Sequence, residues 1–181
     1  SMDEAVEKLK KENKDIDEEV RRRLDELRKR NEEVNKKIKE DDDRLHKEAK
    51  EVLEDVRKTI SEDELRRIKE RLEEINKRNE ELLRDNRRRS EEMTRRVEEL
   101  LKRNEDESRR LEETLKRVKD GDEDIVRKLL REYEKLLREV RERARRILEE
   151  YKRLVKEVRE RAERSLEELK REIKKVRDRA K

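Results

Sequence analysis

Cysteine, proline, tryptophan and phenylalanine do not occur in this chain, and glycine occurs once. Without cysteine there are no disulfides, no thiol chemistry and no thiolate metal sites, and the redox compartment is left open. Without proline, and with a single glycine, almost nothing interrupts a helix. Aromatics make up 1% of the residues, so the stacking platforms that single-stranded nucleic acids use are missing. No apolar run approaches the roughly 20 residues of a membrane span, and no signal peptide is visible. Ser1-Met2 reads as a start methionine behind a protease-cleavage remnant, outside the fold.

What is present is charge: 63% of the 181 residues are charged and 28% are hydrophobic. An average soluble domain has about a quarter charged and nearly half apolar residues. Low hydrophobicity with high charge usually means disorder. Here, however, 59 basic residues face 55 acidic ones, a net charge of +4, and the apolar residues are strictly periodic. That combination favours long helices with a thin core. A globular enzyme needs a wider one.

The period is eighteen residues. Leu9, Leu27 and Leu45 recur, as do Ile16, Val34 and Val52, and Val20, Ile38 and Val56. Further along come Leu65, Leu83 and Leu101, then Leu82, Leu100 and Val118. YEKLLREVRERARRILEE, from Tyr133, is followed directly by YKRLVKEVRERAERSLEE, from Tyr151. Eighteen residues make five turns of about 3.6 residues each, so the pattern returns to the same face without drift. A heptad would impose a left-handed supercoil; this cell asks for straight helices.

Two breaks divide the chain. Ser61 and Glu64 form an S-x-x-E capping box that starts a helix. Gly121 suits the left-handed position after a helix end, and Asp122 can cap the next start. Helices over about 3–58, 62–119 and 123–180 result, each on the order of 85 Å long. Connections this short turn each helix back along its predecessor. The expected fold is a single all-α, antiparallel, up-down-up three-helix bundle of long, nearly straight helices. Per cell, helix 1 offers five core positions (Leu9, Asn13, Ile16, Val20, Leu24). Helix 2 offers six (Leu65, Ile68, Leu72, Ile75, Asn79, Leu82), and helix 3 seven (Tyr133, Leu136, Leu137, Val140, Ala144, Ile147, Leu148).

Polar residues interrupt these stripes: Asn13, Asn31 and Asp42 on helix 1, and Asn79, Asn86, Ser90, Asn104 and Ser108 on helix 2. Helix 3 adds Tyr133, Tyr151 and Ser165. With turns centred near residues 60 and 120, facing residues sum to about 121 on helices 1 and 2 and about 241 on helices 2 and 3. Asn13, Ser108 and Tyr133 then fall level, as do Asn31, Ser90 and Tyr151, with Asn104 and Asn86 each one turn from the serine. Asp42 falls level with Asn79, and Ser165 lies within a turn. The spacing predicts two copies of one buried hydrogen-bond network and a third polar layer. An unpaired buried amide or hydroxyl costs roughly 1–3 kcal/mol, so such residues belong in satisfied sets. Their use is specificity, because a polar layer penalises wrong register.

His46, the only histidine, lies one turn after Asp42. Two candidate ligands are too few for a closed metal site, so a hydrogen bond from His46 to Asp42 beside Asn79 is expected. No metal and no cofactor is called for. Catalysis needs a concave pocket that converges nucleophile, base and oxyanion donors, which a packed three-helix bundle does not supply. Arg87-Arg88-Arg89-Ser90 resembles a basophilic kinase site, but Ser90 falls on the core stripe. Arg21 to Arg23 and Arg87 to Arg89 are flanked by acidic residues, which makes them solvated faces and gives no reason to expect nucleic acid.

The uniform eighteen-residue cell, the Glu/Lys/Arg surface, the minimal capped connections and the layered Asn/Ser/Tyr set resemble de novo designed helical bundles. More narrowly, they look like parametrically generated, untwisted three-helix bundles with buried hydrogen-bond networks. The resemblance covers residues 3 to 180 and implies a stable scaffold without a natural substrate. Spectrin-like repeats are the natural analogue; they carry core tryptophans and irregular loops, both missing here. Two functions follow as expectations. The first is a self-contained scaffold, monomeric and needing no partner, nucleic acid or membrane. The second is an interaction module that takes a partner helix or a second copy through the wide face of helix 3, along Leu129, Leu136, Ile147 and Leu154.

Overall fold

A computed structural model describes residues 1–118 and 122–179. Three helices, α1 (Met2–Val56), α2 (Glu62–Arg117) and α3 (Glu123–Arg179), pack against one another in a bundle. No strand occurs among the described residues. Gly121, expected to end the second helix, lies outside them together with Lys119 and Asp120.

The helix ends follow local chemistry. Ser61 Oγ accepts the Glu64 N–H at 3.2 Å, which is the donor half of the expected capping box. Ser1 Oγ does the same for the Glu4 N–H at 3.3 Å. Ser1-Met2 is therefore not outside the fold: Ser1 is the N-cap of α1, within the same S-x-x-E spacing as Ser61 and Glu64. Where α1 was expected to reach residue 58, it stops at Val56, because the Val56 carbonyl accepts both the Thr59 N–H (2.9 Å) and the Thr59 hydroxyl (2.8 Å). Acidic residues fill every first turn, and Lys116, Arg117, Arg177 and Arg179 close α2 and α3. Both placements favour the helix dipole.

Two compact units divide the chain. The first joins residues 1–28 of α1, α2 from residue 91 and α3 to residue 152. Its core holds Ile16, Val20 and Leu24 from α1, Val97, Leu101 and Leu115 from α2, and Leu137, Val140 and Ala144 from α3, all buried. The second joins α1 from residue 29, α2 to residue 90 and α3 from residue 153. There Leu45, Val52 and Val56 pack with Leu72, Ile75, Leu166, Leu169 and Ile173, and half-buried Ile60, Leu65 and Ile68 close over them. Each fully covered aliphatic side chain contributes about 1.5–3 kcal/mol, which is how so thin a core holds together.

One register of α1 against α3 appears within each unit. Arg141 reaches Glu12 in the first and Arg177 reaches Glu48 in the second, and both pairs are 129 positions apart. These pairs are exposed and add little stability.

Candidate functional site

The buried polar layers are the chemically distinctive part of the molecule. In the first unit, Asn13 Nδ2 donates to Ser108 Oγ at 3.1 Å, and Ser108 Oγ donates to Asn104 Oδ1 at 3.3 Å. Asn104 Nδ2 donates back to Asn13 Oδ1 at 2.7 Å. The three bonds form a closed ring in which each residue gives one hydrogen bond and takes one. Rings of this kind reinforce each bond through its neighbours. Asn104 and Ser108 are buried and Asn13 is half-buried.

Tyr133 is fully buried, and its hydroxyl lies within hydrogen-bonding reach of Ser108 and Asn13 in the ring. It donates to Glu112 Oε1 at 2.7 Å. The reason is directional. Helix side chains lean toward their own N-terminus, so the Tyr133 ring leans toward the start of α3 and reaches α2 one turn past Ser108. Burial, then the Glu112 carboxylate, pushes the Tyr133 hydroxyl well above the ordinary phenol value of 10.0; hydrogen bonding to Ser108 and Asn13 opposes this.

In the second unit, Asn86 Nδ2 donates to Asn31 Oδ1 at 2.9 Å and to Asn35 Oδ1 at 2.6 Å. All three asparagines are buried. The Asn86–Asn31 bond repeats the Asn104–Asn13 bond one cell later, but the second bond has no counterpart. Eighteen residues before Asn35 stands Asp17, which pairs with Arg21 at 2.8 Å instead. Asn86 Oδ1 is buried without a hydrogen-bond partner. The two layers share the asparagine–asparagine bond and differ at Asn35 and at Asn86 Oδ1. Ser90 is half-buried on α2 in this unit, and Tyr151 is fully buried on α3 in the first.

A third layer lies deeper in the second unit. Asn79 Nδ2 donates to Asp42 Oδ1 at 2.6 Å, and Ser165 Oγ donates to Asn79 Oδ1 at 2.5 Å. Arg78 approaches Ser165 Oγ from the surface at 3.5 Å and pairs with Glu168. The layer thus runs from a buried carboxylate on α1, through α2, to a hydroxyl on α3. His46 Nε2 stands 3.2 Å from Asp42 Oδ1, yet it is buried without a hydrogen bond. The expected His46–Asp42 hydrogen bond is therefore not formed, although the two groups stand side by side.

Sequence reasoning passed over Asn35 and Glu112. Asn35 falls level with Asn86 on the facing-residue rule, but its cell counterparts Asp17 and Leu53 gave no repeat to flag it. Glu112 sits at the stripe edge, where only the lean of Tyr133 selects it.

The chemistry these layers support is recognition between helices. The Ser165 hydroxyl proton is committed to Asn79. No group of three or more His, Cys, Asp or Glu among the described residues is placed to hold a metal ion. Among those residues no helix is long and apolar enough to cross a membrane. Beside Asn79 and Ser165 lies an open groove of about 1140 Å³ whose remaining lining, apart from Leu82, is arginine, glutamate and aspartate. Of the apolar line on α3, Ile147 is buried within the first unit and Leu154 within the second, and Leu129 and Leu136 are half-buried. Comparison with family models, with curated proteins and with solved structures returns no match.

Proposed function

We propose that this chain is a structural scaffold, a designed helical bundle without a substrate, whose buried polar layers specify how its helices pair. The observation that carries the reading is the set of bonds that cross between helices within each unit. Asn13, Ser108 and Asn104 close a ring, and Asp42, Asn79 and Ser165 link all three helices, inside cores that are otherwise aliphatic. A polar layer of this kind adds little net stability over an apolar one but strands its members in any other pairing. Coverage of the apolar stripes supports self-sufficiency: among the described residues the only exposed large hydrophobic is Ile125, at 49%. The scaffold has no catalytic role and needs no cofactor or partner. Light scattering tests this reading. A mass of 22.6 kDa across a wide concentration range agrees with it, and a constant mass near twice that value moves the function to association through α3.

A further inference from the structure

We infer that Asp42, Asn79 and Ser165 exclude pairing of this chain with a second copy of itself in a slipped register. The inference rests on the scaffold reading and deepens it. An eighteen-residue cell carries an ambiguity: sliding α1 by one cell against α2 and α3 returns every apolar stripe to its place. Within one chain that slip is closed. The connection from Val56 to Glu62 reaches about 21 Å when extended, whereas one cell displaces a helix by about 27 Å. Between two copies it is open.

The repeated layers resolve this ambiguity only in part. After a one-cell slip Asn31 and Asn35 take the levels of Asn13 and Asp17, where Asn104 and Ser108 receive them with the same chemistry. The Asp42 layer has no such substitute. One cell away from Asp42, Asn79 and Ser165 stand Leu24, Val97 and Ile147, all buried. A slip brings the Asp42 carboxylate level with Val97 and takes its Asn79 donor away. A carboxylate is the costliest group to leave buried without a partner. Spacing makes the device general. Along α1 the layers stand at Asn13, Asn31 and Asp42, eighteen and then eleven residues apart. Because the intervals differ, any slip can match at most one layer and must break the others.

The test uses the full chain with a cysteine reporter, since the chain has no cysteine of its own. Glu48 natively meets Arg177; a one-cell slip places it beside position 159. Glu48→Cys with Arg159→Cys therefore forms a disulfide only between slipped copies. In the parent background, refolding from guanidinium at high concentration with mild oxidant should give monomer. In a background carrying Asp42→Leu, Asn79→Val and Ser165→Ile, the identities one cell away, the cross-linked dimer of about 45 kDa, twice 22.6 kDa, should appear. Its yield should rise by about tenfold or more, as expected when even one stranded buried group is relieved. Asp42→Asn alone, nearly isosteric and safe for folding, should shift it in the same direction.

A third background adds Asn13→Leu, Asn31→Leu, Asn86→Leu, Asn104→Leu and Ser108→Ala. If it cross-links while the Asp42-layer background does not, the register inference is overturned and the scaffold reading stands. If neither cross-links, both are overturned. A cross-linked dimer in the parent also overturns the inference.

Discussion

Asn79 donates a 2.6 Å hydrogen bond to the Asp42 carboxylate, joining α2 to α1 at a group that is 2% exposed. That bond is the tightest side-chain link between those two helices in its layer, and its energetics are asymmetric. Asn79→Leu leaves the carboxylate buried without its donor and should cost about 2–3 kcal/mol. Asp42→Leu combined with Asn79→Leu removes both groups and should be close to neutral, or stabilising. Guanidinium unfolding of the two variants checks this. Equal losses in the single and double variants would mean that Asp42 is solvated by other means.

Tyr133 and Glu112 give an alkaline signature. The phenol holds its proton more tightly in the folded chain than in the unfolded one. The resulting stability is complete below the unfolded value of about 10 and is lost as pH rises from there toward the folded value. In a Tyr151→Phe background Tyr133 is the only tyrosine, and its phenolate absorbance should appear well above pH 10.0. Glu112→Gln should bring that titration down, since the carboxylate is the second cause of the rise after burial. A midpoint at the ordinary value in the folded protein would contradict the buried Tyr133–Glu112 bond.

At Ser61, loss of the cap should be felt by the whole of α2. Ser61→Ala removes the acceptor for the Glu64 N–H and should cost about 1 kcal/mol. Ser61→Asp, which keeps a capping oxygen, should restore it. Chemical denaturation of the pair separates the cap from any effect of side-chain size.

How far the sequence carried depended on what the eighteen-residue cell could register. It placed three helices, the Ser61 cap and the Asn13–Ser108 and Asp42–Asn79 pairings, because each follows from facing-residue arithmetic on regular helices. It did not find Asn35, since only α1 breaks its own repeat there. Nor did it find Glu112, because a phenol longer than one turn escapes its level in a direction set by the Cα–Cβ bond. The Ser1 cap was legible in the same S-x-x-E spacing as Ser61 and Glu64, and was lost by treating Ser1-Met2 as a remnant. Alignment is what a sequence cannot supply for His46: proximity to Asp42 followed from the one-turn spacing, but the direction of the ring N–H did not.

The closed ring offers the most direct measurement of whether buried polar layers specify pairing. Ser108→Ala opens it at two bonds and strands Asn13 Nδ2 and Asn104 Oδ1, which should cost about 1–3 kcal/mol. Asn13→Leu, Asn104→Leu and Ser108→Ala together leave an apolar layer that should match or exceed the parent in stability while widening the range of association states. Guanidinium unfolding of both variants, with their masses followed by light scattering, decides the matter. A costly single change beside a harmless triple one is the expected result; a single change without effect would place the ring in contact with water and remove the basis for its role.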